Sequence, residues 1–188
     1  MALLTITGGE VGMVLKDGVY YFPGDITNSD AITITCPLCI GGNLISTGGA
    51  ADINSNSDLV VKGKVISGRD LIVATGGLFV SSDITIARNL TVAYDLSCDE
   101  DIFAVGAILV GKNLSCKHDI VGQANITSTA GVIRAGGLVT TDNSVVSGTS
   151  ITADKVVAGT ITAGASSIIL VREMEGTVSA GIVHFTNG

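Results

Sequence analysis

The stretch that decides the fold reads DITIAR (83–88), NLTVAY (89–94), DLSCDE (95–100), DIFAVG (101–106), AILVGK (107–112) and NLSCKH (113–118). An aliphatic residue stands second in every block, and Asp or Asn stands first in five of the six. Apolar residues therefore recur at i, i+2 and i+6. A helix would place them at i, i+3, i+4 and i+7. A spacing of two puts positions 2 and 4 on one face of a short strand and position 3 on the other. Positions 5, 6 and 1 must then turn the chain, which Gly, Asn and Asp tolerate. Each block is thus one strand and one corner.

Working outward, the frame runs from Asp25 to Asp142 as 19 blocks, interrupted by Gly49–Ala51 and by Gly76. Position 2 is Ile, Leu or Val in all 19, and position 1 is Asp, Asn or Gly in 15. Three blocks close a triangular coil of 18 residues, and coils stack at about 4.8 Å. The expected fold is all-β: a single-stranded β-solenoid, or parallel β-helix, of seven to eight coils. It spans residues 25–165, and the stack is roughly 35–40 Å long. Residues 1–24 and 166–188 leave the rhythm and are read as caps or coupling strands.

Composition agrees. The 188 residues are 46% hydrophobic but only 4% aromatic, with no Trp, 25 Gly and 2 Pro. Stacked aliphatic ladders need no large rings. A mean hydropathy of +0.57 with 14% charged residues excludes disorder. The net charge of −7 argues against nucleic acid as a partner. No apolar run reaches about 18 residues, so no transmembrane helix is expected. The opening MALLTITGGE lacks a positive n-region. Four Cys do not make a dense disulfide framework, and a cytoplasmic protein is the expectation.

Position 3 of each strand looks outward, which defines three faces. The first carries Thr27, Ile45, Ile66, Thr85, Phe103, Val121 and Val139. The second carries Thr33, Asn54, Ile72, Thr91, Leu109 and Thr127. The third carries Cys39, Val60, Phe79, Ser97, Ser115 and Ile133. The first is the most apolar, so Ile45, Ile66, Phe103, Val121 and Val139 are the candidate assembly face; a terminal segment folded over them is the alternative. A solenoid also ends in edge strands, which either are capped or pair with another molecule. Candidate end contacts are Val19, Tyr20, Tyr21 and Phe22, and Ile168, Ile169, Leu170, Val171 and Phe185.

Candidate chemistry is sparse. Cys36 and Cys39 have CxxC spacing, but they lie within the hexad rhythm and no second pair follows. Cys98 and Cys116, 18 apart, should stack inside the rod as small core residues. Asp83, Asp101 and Asp119 share that spacing and form a carboxylate ladder. Corner amides or a bound Ca²⁺ would relieve their repulsion. The spacing is not that of Ca²⁺-binding nonapeptides, so amide bonding is expected. Asp99–Lys117 and Glu100–His118 should pair across coils. His118 and His184 are far apart, no nucleophile or phosphate-loop motif occurs, and no insertion is long enough to wall off a pocket. No cofactor, metal or catalytic site is expected.

Two families of short-coil solenoids bear comparison. Hexapeptide-repeat acyltransferases place a small residue four positions after the aliphatic. Here Arg69, Arg88, Tyr94, Glu100 and Lys112 stand there, and no protruding loop carries a His. Asp58-Leu-Val-Val-Lys-Gly63, Lys64-Val-Ile-Ser-Gly68 and Ile151–Gly164 are closer to the bactofilins, which the chain resembles over residues 25–164. That resemblance implies a right-handed β-helix of cytoskeletal type that polymerises end to end without nucleotide. Ile151–Gly164 is also similar to phage tail-fibre shafts. The expectation is a structural protein, not an enzyme, that forms filaments or homo-oligomers through its end coils and apolar face. A fibre or surface module presenting a flat face to a ligand is the alternative.

Overall fold

The computed structural model describes residues 3–49, 51–165 and 167–186. It is all-β, with no helix among these residues. Strands of mostly three residues stack in parallel and in register, forming a β-solenoid of about nine turns. Among the described residues, no helix is long and apolar enough to cross a membrane.

Each face is a column of strands. The first runs from Ile26–Asn28 to the start of Glu173–Ser179, the second from Leu4–Ile6 to the end of Glu173–Ser179. The strands Lys155–Ala163 and Glu173–Ser179 turn the corner unbroken, which joins these two columns into one 17-stranded sheet. The third column, an 11-stranded sheet, runs from the hairpin Val14–Lys16/Val19–Phe22 to Ile182–Phe185. Segments outside the hexad rhythm therefore add strands at both ends. Ten rows on the second face make a rod about 43 Å long.

Positions 2 and 4 fill the interior. Leu78, Leu96 and Leu114 stack directly upon one another and are almost fully buried, and so do Ile84, Ile102 and Ile120. Where position 4 is polar, its group mostly reaches a corner carbonyl of the preceding coil, whereas Ser55 Oγ donates to Ser57 O in its own coil. Ser46 Oγ donates to Asp30 O, Ser67 Oγ to Ala51 O, and Cys116 Sγ to Glu100 O. Every buried side-chain nitrogen and oxygen among the described residues has a partner.

The preference for Asp or Asn at position 1 has a direct cause. The side chain there accepts the backbone N–H of the position-1 residue one coil on: Asp25 from Asn43 (2.7 Å), Asn43 from Lys64 (2.9 Å), Asp70 from Asn89 (2.9 Å) and Asp95 from Asn113 (3.1 Å). The Asp83–Asp101–Asp119 ladder is held this way, with Asp119 passing the pattern to Leu138 (2.7 Å). Asp119→Ala should lower stability by about 1 kcal/mol, whereas Asp119→Asn, which keeps the acceptor, should lower it by less than half as much. Denaturant titration of both variants checks this.

One stretch runs out of the expected frame. Ile133 and Val139, expected outside, are fully buried. Arg134 and Thr140 face outward in their places, opposite Ser115 and Val121. An extra residue lies in the corner between Ser128 and Ile133, because Leu114 pairs with Ile133, 19 positions on, instead of 18. The unshifted frame would have buried the Arg134 guanidinium, at prohibitive desolvation cost.

Candidate functional site

The outer first face carries Ile45 beside Ile66, then Thr85, then Phe103 beside Val121, then Thr140 and Val157. The stripe is thus two apolar doublets separated by Thr85, without Val139. Ile45, Ile66, Phe103 and Val121 are half-buried. More apolar surface is open on the other faces, at Ile72 (37% exposed), Leu109 (43%) and Phe79 (42%).

The two ends differ. At the C-terminal end, Glu173–Ser179 and Ile182–Phe185 pair on one side only among the described residues. Met174, Val178, Val183 and Phe185 are the last members of the inward columns. Phe185 is 53% exposed, with no coil above it among the described residues. Ile168 is exposed and Leu170 half-buried, but Ile169 and Val171 are fully buried core residues and cannot be contacts.

At the N-terminal end, Asp17 (φ 51°) and Gly18 (φ 81°) make the two-residue turn of a hairpin. Its outer strand, Val14–Lys16, lies antiparallel on Val19–Phe22 and covers the edge of the third face. Tyr20 and Phe22 are half-buried against the core; Val19 and Tyr21 are exposed. Residues 7–13 link the second face to this hairpin. Glu10 ties the loop: its carboxylate accepts the backbone N–H of Thr7 (2.7 Å) and Gly8 (3.0 Å), and these bonds hold it below the usual carboxylate range. Between loop and first coil lies a cavity of about 230 Å³, lined chiefly by Leu4, Ile6, Val11, Met13, Phe22 and Ile26.

The Cys36–Cys39 pair is split by the strand geometry. Cys36 is buried, and desolvation pushes its thiol up; Cys39 points outward, half-buried, on the third face. Cys98 and Cys116 stack in the interior, and the contact with Cys116, with burial, pushes the Cys98 thiol up. All four cysteines are free, and no group of three metal-ligating side chains occurs among the described residues. Lys117–Asp99 (2.9 Å) and His118–Glu100 (3.5 Å) pair across coils at one corner, as their spacing predicts. An open hollow of about 570 Å³ between Gly148 and Ile168 is lined by Gly, Ala, Ser, Thr and Ile, without a titratable side chain. Compared with known proteins, the chain matches no family, no curated protein and no solved structure.

Proposed function

We propose that the chain is a structural rod that associates with copies of itself, into filaments or smaller homo-oligomers. The observation that carries this reading is the C-terminal end of the core, which no described residue covers. Two strands there offer backbone edges that no described residue pairs, and Val183 and Phe185 leave inward-type apolar side chains in water. Such an end is a template for further strands. The outer first face supplies the lateral contact, with Phe103 and Val121 at its centre.

Single charges separate the two contacts. Phe185→Glu should shorten or abolish axial assemblies seen by negative-stain microscopy, and Phe103→Glu should loosen side-by-side packing. Both side chains lie outside the tightly packed interior, so circular dichroism and melting temperature should stay close to wild type. Assemblies unchanged by Phe185→Glu contradict the axial contact; lateral packing unchanged by Phe103→Glu contradicts the stripe.

A further inference from the structure

Two of the four free cysteines stand in register on neighbouring coils. Cys98 ends one strand of the third face, Cys116 ends the next, and the two residues pair directly. Their Cα atoms are therefore one coil spacing apart, about 4.8 Å. A disulfide spans about 4.4–6.8 Å between Cα atoms. The column they occupy reads Val61, Val80, Cys98, Cys116, Ala135, so no third thiol competes within it. Cys39 lies three rows away on the outer side of the same face. Both sulfurs turn toward the corner between the third and first faces. Cys98 Sγ lies 3.0 Å from Ser82 O and 3.4 Å from Asp101 O. Cys116 Sγ lies 2.6 Å from Glu100 O and 3.3 Å from Asp119 O. Glu100 and Asp101 are exposed, so the thiols sit just beneath the surface of that corner. Ser46, Ser67, Ser128 and Ser147 make the same corner bond with a hydroxyl. A thiol is the weaker donor, so holding the corner does not call for sulfur. What residues 98 and 116 add is a second sulfur within reach of the first.

We propose that Cys98 and Cys116 form an oxidation site, at which a peroxide converts the two thiols to a disulfide that staples adjacent coils in the middle of the rod. The two side chains are in hydrogen-bond contact, which holds the Cys116 thiol below the ordinary thiol range and pushes the Cys98 thiol above it. Cys116 is thus the nucleophile and Cys98 the resolving thiol. The Cys116 thiolate attacks one peroxide oxygen. The S–O bond forms, the O–O bond breaks and hydroxide leaves; sulfur has lost two electrons and is a sulfenic acid. Cys98 sulfur then attacks Cys116 sulfur. The S–S bond forms, the S–O bond breaks, and the oxygen leaves as water with the proton from Cys98. Over both steps two thiols and one hydrogen peroxide give one disulfide and two waters. Hydrogen peroxide is little larger than water, and Ala135, beside Cys116 in the column, has no γ atom to fill the space on that side. A dithiol reductant reverses the reaction by thiol–disulfide exchange. Because each coil is held only by its neighbours, a covalent link between two of them acts on that interface first.

The test is mass spectrometry of the native full chain after brief treatment with hydrogen peroxide. A non-reducing digest should hold a cross-linked peptide pair joining Cys98 to Cys116, lighter than the two free peptides by two hydrogens, and dithiothreitol should abolish it. Cys116→Ser keeps a donor for Glu100 O, as the serines elsewhere in the rod do, so it should fold like the wild type and give no such pair. Cys39→Ser, which removes the outward thiol, should form the pair as readily as the wild type. Amide hydrogen exchange between residues 96 and 116 should be severalfold slower in the oxidised chain than in the reduced one. The proposal is overturned if Cys98 and Cys116 stay free in the native chain, if they gain oxygen without linking, or if they link only after unfolding in guanidinium. It is also overturned if the link is lost in Cys39→Ser, or if oxidised and reduced chains exchange alike across these coils.

Discussion

Gly76→Ala is expected to cost the rod about 2–4 kcal/mol, the sum of a backbone term and a steric term. Gly76 sits at φ +113°, a conformation that L side chains rarely adopt. A Cβ there would lie 2.6 Å from the Asp58 backbone nitrogen, which cannot swing away as a flexible side chain could. Gly76 is also the residue that interrupts the hexads, so the extra length is absorbed by a corner only Gly can form. Gly49→Ala is the control: nothing lies within 4 Å of its Cβ, and the change should stay within about 0.5 kcal/mol. Paired guanidinium unfolding curves measure the difference. A Gly76→Ala midpoint matching that of Gly49→Ala would contradict the corner geometry.

Leu96→Ala is expected to cost about 3–5 kcal/mol. Leu96 is 1% exposed and stacked between Leu78 and Leu114. Neither neighbour can fill the gap, because each is held at the coil spacing by its own backbone ladder. The damage should be local as well as large. Each coil touches only the coils beside it, so stability is close to a sum of nearest-neighbour terms. Hydrogen exchange should therefore accelerate most between residues 78 and 116 and fade toward both ends. Uniform acceleration along the rod would mean that the solenoid unfolds as one cooperative block.

Much of this architecture is legible because one position repeats without exception. The aliphatic second position forms the ladder, the small fourth fills the space beside it, and the Asp or Asn at the first accepts an amide. The ladder at Asp83, Asp101 and Asp119 and the ion pairs at residues 99–100 and 117–118 follow from spacing alone. The frame fails where an extra corner residue falls before adjacent aliphatics. Val132-Ile133 and Leu138-Val139 satisfy the rule in either phase, so the shift is invisible to it; Arg134 at an inward position is the signal that betrays it. The N-terminal hairpin goes unread when residues 1–24 are taken only as a cap or coupling segment, although Asp17-Gly18 between Val14-Leu15-Lys16 and Val19-Tyr20-Tyr21-Phe22 carries its turn signature. The burial of Ile169 and Val171 is not legible. It depends on the strands Lys155–Ala163 and Glu173–Ser179 rounding a corner without a hexad break, and no local spacing announces that.

Self-association through an open core end is tested most directly by the mass of the purified chain, measured by light scattering over a hundredfold range of concentration. The mass should rise above 18.9 kDa as concentration increases, and fall back in Phe185→Glu. A monomer at every concentration would contradict self-association.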